Sequence, residues 1–446
     1  MPAAYPELDP PQEARFPLPS SEFPESRGLA SDLAQRIEAD PFHLLALLAC
    51  TGVGLHLWWG VLSQGKSRRV TVPEASGWKA QVCAYFTRSP HAPLALWLAF
   101  LVAAGLAVHG SLETGRFALA DGRHRFIWHL AVVCLLAFSR PGQLLVEILF
   151  EKSARLLGNT RTAWWVVLVI GGPLLGALTS VVAVVPVTCR LLRLHVDEGG
   201  GAVLRRMTRA TFFLNLSLAA GLGLNAGNAL PVAAWHLWDF WRWRVLVVLL
   251  AISFGVLIAM RRHLRLGSRL LADDPDSEAG KVPAWTAWLT GALLVGLVFL
   301  PEHPGWLAMI PLGFGVLLST VGIHRPFVLV PKALPLLLLG VLWLPLGRSQ
   351  HWWTSAILDR LPDWADAAFF SVLSALLGTV AGHSFLPSPA NHAAHAGVFG
   401  LGGLGLAAYA TWLAQSEDGH PGISWRDFCT GLLLGGIATT ALVLLS

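Results

Sequence analysis

Acids are scarce in the apolar stretches of this chain, and each one found there is a candidate for moving a proton. Glu147, Glu151, Asp239, Asp363, Asp366 and Asp427 are the carboxylates inside or beside apolar runs. Desolvation raises the proton affinity of a carboxylate, which is the property a proton-coupled process needs. Glu147 is the main intramembrane candidate for proton coupling, with Arg140 as a competing ion-pair partner. Asp239 stands among Trp235, His236, Trp238, Trp241, Arg242, Trp243 and Arg244, where an interfacial aromatic belt containing an Asp–Arg pair accounts for it.

Neutral oxygens form a second group. Gly171 to Ser180 reads G-G-P-L-L-G-A-L-T-S. The turn of a re-entrant hairpin there would offer carbonyls and the hydroxyls of Thr179 and Ser180 to an ion or a substrate oxygen. A kinked helix packed through its small residues, Gly172 among them, is the competing reading. Asn215, Ser217, Asn225 and Asn228 follow in another apolar run, where their amides and hydroxyl are costly unless they line a cavity or hydrogen-bond to each other. Thr379, His383, Gly402 and Gly403 hold corresponding places late in the chain. A substrate site is expected where 171–180 and 215–228 meet 374–384 and 397–409.

His392 and His395 are spaced i, i+3, which can set two imidazoles on one helix face as the start of a metal site. No carboxylate or thiolate stands nearby in sequence to complete it, and the H-E-x-x-H pattern of a zinc hydrolase is absent. An intramembrane enzyme using His383, His392 or His395 would lack a nucleophile–base pair. The expectation is interfacial histidines, no metal, no cofactor and no enzymatic activity.

The elements that must position these groups follow from composition. Of 446 residues, 54% are hydrophobic and 13% charged, and the mean hydropathy is +0.58. Soluble domains carry about 25% charged residues, so most of this chain does not face water. The net charge of +5 comes from short basic clusters between apolar runs, which suit anionic lipid headgroups rather than nucleic acid. Cys50, Cys83, Cys134, Cys189 and Cys429 are scattered without a C-x-x-C pair and read as small hydrophobes.

A helix crossing a hydrocarbon core of about 30 Å needs about 20 residues. Runs of that order lie near 42–62, 92–110, 126–150, 162–189, 210–235, 243–261, 282–301, 304–323, 326–347, 366–386, 396–415 and 427–445. The fold class is therefore all-α, a polytopic membrane bundle of about 10–12 helices or half-helices, since the runs lack the alternation of a barrel. Residues 1–40 form a polar, Pro-rich, acidic leader without a signal-peptide core. A first membrane half spans 41–262, a cytoplasmic linker 263–281 and a second membrane half 282–446. Basic clusters at Arg190–Arg209 and Arg261–Arg269 put both neighbourhoods on the cytoplasmic side. Glycine and proline interrupt 162–189 and 210–235 in one half, and 366–386 and 396–415 in the other, as in transporters with internal repeats.

The motifs Ser139-Arg140-Pro141, Gly172-Pro173-Leu174-Leu175-Gly176-x-x-Thr179, Asn215-x-Ser217, Trp238-Asp239, Gln350-His351-Trp352-Trp353 and Gly402-Gly403-Leu404 resemble, in order and spacing, a Na+/H+ antiporter family of the ion transporter superfamily. The resemblance covers roughly residues 36–440. It implies two inverted repeats, each with a re-entrant hairpin and a broken helix around a central site, and a homodimer. It also implies an acid where Ser180 stands, an Asn-Asp-Asn cluster where Leu377-Gly378-Thr379 stands, and an Asn-x-Pro-Asn-Pro stretch where Tyr409-Ala410-Thr411-Trp412 stands. The expected function is thus a secondary transporter in the bacterial inner membrane, a cation/proton antiporter-like carrier with its ion-coordinating residues largely replaced. The alternatives are a transport-inactive membrane scaffold or partner subunit, and an uncoupled carrier of a small neutral or anionic solute. The expected partners are membrane lipid and a small ion or solute.

Overall fold

The computed structural model describes residues 140–178, 181–197, 201–222, 235–265, 283–299, 363–378, 392–418 and 424–446, with single positions between 31 and 58. Among the described residues every element is a helix and none is a strand. Helix α1 covers Arg140–Leu156. Helix α2 (Arg161–Val166) runs through a π-helical segment (Val167–Gly171) into α3 (Gly172–Leu178). Helix α4 (Val181–Leu192) ends in a second π-helical segment (Arg193–Asp197) and is followed by α5 (Ala202–Leu222), α6 (Trp235–Ala259) and α7 (Arg261–Arg265). Then come α8 (Ala284–Phe299), α9 (Asp363–Leu377), α10 (His392–Asp418) and α11 (Trp425–Leu445).

Local sequence accounts for several boundaries. Gly158 and Asn159 take left-handed φ values of 90° and 49°, and their N–H groups donate to the carbonyls of Arg155 and Ala154, closing α1. Thr160 then caps α2, its hydroxyl accepting from Ala163 N–H at 3.1 Å. At the start of α11, Ser424 and Asp427 form a reciprocal capping box.

Helix α5 is the centre of the bundle. From Leu214 to Ala219 six consecutive residues are buried, so the helix is covered on every side. Apolar burial adds little between helices surrounded by lipid tails; close approach and hydrogen bonds must hold them instead. Helix α10 meets three neighbours at glycines. A Cβ on Gly403 would lie 2.8 Å from the Phe213 carbonyl of α5, Gly397 abuts Ser371 of α9, and Gly400 abuts Gly435 and Thr439 of α11. The sequence suggests that these glycines break their run. The structure corrects this: α10 is continuous from His392 to Asp418, and the glycines are docking surfaces.

Pairwise contacts fix the helix directions. Ser217 meets Phe399 and Phe213 meets Gly403, so α5 and α10 are antiparallel. Ser371 meets Gly397 and Gly378 meets Leu406, so α9 and α10 are parallel neighbours. Helix α7 packs against α2, whose Trp164 stacks on His195 at 3.7 Å between ring centroids. The two basic clusters of the sequence therefore share one end of the bundle, and Arg206 reaches Asp427 of α11 at that end, 3.2 Å away.

The outer faces are apolar. Phe254 and Ile258 on α6, Val372 and Leu376 on α9, and Leu433, Ile437 and Leu444 on α11 are all exposed large hydrophobes at helical spacing. Among the described residues one helix, Trp425–Leu445, is long and apolar enough to cross a membrane. Its 21 residues rise about 31 Å, matching the hydrocarbon thickness. Arg161–Ala177, Trp243–Ala259 and Ala367–Leu376 are shorter apolar helices.

Candidate functional site

Residues 161–197 form a helical hairpin. The arm α2–α3 leads away from the basic end and α4 returns to it, with Gly172 facing Thr188 closely enough that a Cβ would lie 3.3 Å from its methyl. The Trp164–His195 stack joins the two feet. A hairpin is what the sequence suggests, with its turn within Gly171 to Ser180; Gly171-Gly172-Pro173 are themselves helical, and α3 continues to Leu178.

The way Pro173 is accommodated explains Asn215. Proline has no N–H, so the carbonyl four residues back, that of Val169, loses its α-helical donor. The π-helical segment Val167–Gly171 lies just before the proline, and Gly172 N–H bonds to Val167 O in the wider π register. Asn215 Nδ2 then donates to Val169 O at 2.7 Å and to Ser253 Oγ at 2.8 Å. One fully buried amide thus ties α5 to the hairpin and to α6. The Asn215 Oδ1 atom is buried and has no hydrogen-bond partner among the described residues; Ser374 Oγ on α9 is in the same condition.

Ser217 lies two positions on and points elsewhere. Its hydroxyl donates to the Phe399 carbonyl at 2.6 Å, joining α5 to α10 where the helices cross. Two of the sequence-derived site residues therefore bond to neighbouring helix backbones or hydroxyls. Gly402 and Gly403 are buried in the same crossing, and Gly403 faces α5. Gly172 lies in the hairpin contact. Thr179, Ser180, Asn225, Asn228, Thr379 and His383 lie outside the described residues.

Glu147, Glu151, Asp197 and Asp427 are each paired with an arginine. Glu147, 7% exposed, forms an ion pair with Arg190 of α4, which is the partner the structure gives it where the sequence offers Arg140. Asp197, which sequence reasoning missed, is buried and accepts two hydrogen bonds from Arg209, at 2.8 Å from Nη2 and 3.1 Å from Nε. Burial pushes the Asp197 carboxyl up from the ordinary range, and the Arg209 charge and hydrogen bond oppose that shift. The signal for Asp197 was present as an acid among Arg193, Arg205 and Arg209, but in a polar connection such a residue reads as solvated. Asp427 serves the α11 cap and the pair with Arg206, and Glu151 pairs on the surface with Arg155. His395 is buried and His392 exposed, and the described residues hold no cluster of three His, Cys, Asp or Glu that could bind a metal.

Helices with apolar outer faces, internal polar ties between backbones and one end rich in arginine have the make-up of an integral membrane protein. Residues 79–409 match the model of a family described as "Putative Na+/H+ antiporter", and the chain belongs to that family of antiporter-like membrane transporters. No curated protein matches the chain.

Proposed function

We propose that this chain is a secondary carrier of the cation/proton antiporter type, built of two inverted repeats, that works in a bacterial inner membrane. One observation carries the proposal: hairpin 161–197 leads into α5, α9 and the residues after it lead into α10, and α5 and α10 run in opposite directions through their shared crossing. Two such units of opposite sense, each entering from a different end, are the construction that supports alternating access. The cargo is a small ion or solute, passing near the α5–α10 crossing and the hairpin turns, where Thr179, Ser180, Asn225, Asn228, Thr379 and His383 follow or precede the described helices. The family resemblance adds a homodimer.

Proton coupling is weak in this reading. A Na+/H+ exchanger needs an acid that alternates between proton and cation. Ser180 and Gly378 stand where acids are expected, and Glu147 is held by Arg190. Proteoliposomes should exchange radiolabelled sodium above empty vesicles, while an imposed sodium gradient changes internal pH little. Sodium-driven proton movement abolished by Glu147→Gln would overturn the weak coupling. Absence of flux for sodium and for small neutral or anionic solutes would overturn the carrier itself. The arginine-paired acids favour a second reading in that event, a transport-inactive scaffold or partner subunit.

A further inference from the structure

The last turn of a helix presents carbonyls that have no intrahelical donor. At the end of α9 the Ser374 carbonyl accepts from Gly378 N–H at 2.8 Å, where Gly378 takes φ +95°, a conformation that favours glycine. The Leu376 carbonyl is met from a distance of 318 positions in sequence, by the indole N–H of Trp58 at 2.9 Å. The Trp58 ring also stands edge-on to Phe428 of α11, with centroids 5.8 Å apart, and Phe428 stacks on Trp425 at 5.4 Å. Phe428 is itself fixed, because it lies in the first turn of α11, where Ser424 and Asp427 form the capping box and Arg206 of α5 binds Asp427. One indole therefore ties the end of α9 to α11, and through α11 to the central helix.

Trp58 and α11 both lie outside the family-matched residues 79–409. The contact joins α9 to parts of the chain beyond that core. Its strength suits a reversible tie, since one hydrogen bond and one ring edge are involved, but an indole N–H and a helix carbonyl separated without water would each lose a partner. We infer that Trp58 is a latch on the second repeat: it holds the C-terminal turn of α9 against α11, and it must release for α9 to move relative to α11. The purpose of the latch rests on the carrier reading; its existence does not.

Hydrogen–deuterium exchange of the full chain in lipid nanodiscs tests it. Trp58→Phe keeps the ring and removes the donor, so amides in the 371–378 segment should exchange roughly fivefold faster, the effect of losing one hydrogen bond of ordinary strength. Trp58→Ala should exceed this, while amides of 210–217 in α5 stay as in the wild type. Unchanged exchange at 371–378 in both variants would overturn the latch. Equal acceleration in both segments would also overturn it, because Trp58 would then support the whole fold without acting on α9. Solute flux in the same preparations is a separate readout: faster local exchange in a protein that moves nothing would end the carrier reading and leave the latch standing.

Discussion

Replacing Asn215 with Leu should reveal how Pro173 is tolerated inside the first hairpin. The two side chains are similar in size, so the change leaves no large cavity and acts through hydrogen bonding. It removes the bonds to Val169 O and Ser253 Oγ. Interhelical hydrogen bonds in membranes average about 0.6 kcal/mol, so the pair accounts for about 1 kcal/mol. The Val169 carbonyl then faces a proline ring with no donor, and an orphaned buried carbonyl costs about 1–3 kcal/mol. The expected destabilisation is about 2–4 kcal/mol in all. In a Pro173→Ala background, residue 173 regains its N–H and can serve Val169, so Asn215→Leu should cost only about 1 kcal/mol there. Reversible unfolding in mixed detergent–SDS micelles, run as a double-mutant cycle, measures the difference. Equal cost of Asn215→Leu in both backgrounds would refute the idea that Asn215 compensates for the proline.

Three more expectations follow from contacts already described. Gly403→Ala drives a methyl against the α5 backbone and should cost about 1–3 kcal/mol in thermal unfolding, whereas Gly436→Ala, with nothing within 4 Å, should be nearly neutral; similar losses would dismiss close packing as the reason for Gly403. Glu147→Gln or Arg190→Gln alone should destabilise by about 3–5 kcal/mol, and the double replacement by less than either, in the same assay; a double variant worse than both would contradict a buried pair. Cys429 is exposed in the α11 segment that binds Arg206, so a variant keeping it as the sole cysteine should react with an impermeant maleimide only from the cytoplasmic side, and labelling from outside would invert the orientation.

Long apolar runs were legible in the sequence because length and composition alone define them. The runs read at 427–445 and 282–301 correspond to Trp425–Leu445 and Ala284–Phe299 within a few residues. The run read at 162–189 holds the two antiparallel arms of the hairpin that the sequence suggests, but the outgoing arm stays helical through the glycines and proline as far as Leu178. Gly171-Gly172-Pro173 reads as a break on propensity. It stays helical because the π register and an amide from a helix 46 positions away replace what proline removes. Likewise, Gly397 to Gly405 reads as unwound because glycine is a poor helix former in isolation, while the bundle uses the missing side chains to bring α5, α9 and α11 close. Asn215 and Ser217 were recognisable as groups needing partners. Which partners, and that the two residues point to different helices, depended on tertiary packing. Asp197 was passed over because its burial comes from the packing of the second π-helical segment, which periodicity does not reveal.

The stacked pair Trp164–His195 clamps both arms of the first hairpin at one end, and the π-helical segment lies part-way along the outgoing arm. Mechanically this is a cantilever with a soft joint. From Val169 to Leu178 the lever is nine residues, about 14 Å at helical rise, so a bend of about 10° at the joint displaces the far end by about 2 Å. The clamped feet, where Asp197 pairs with Arg209, would stay still through such a stroke. Movement would then be concentrated at the tip, and the single amide of Asn215, bonded right at the joint, would set its stiffness.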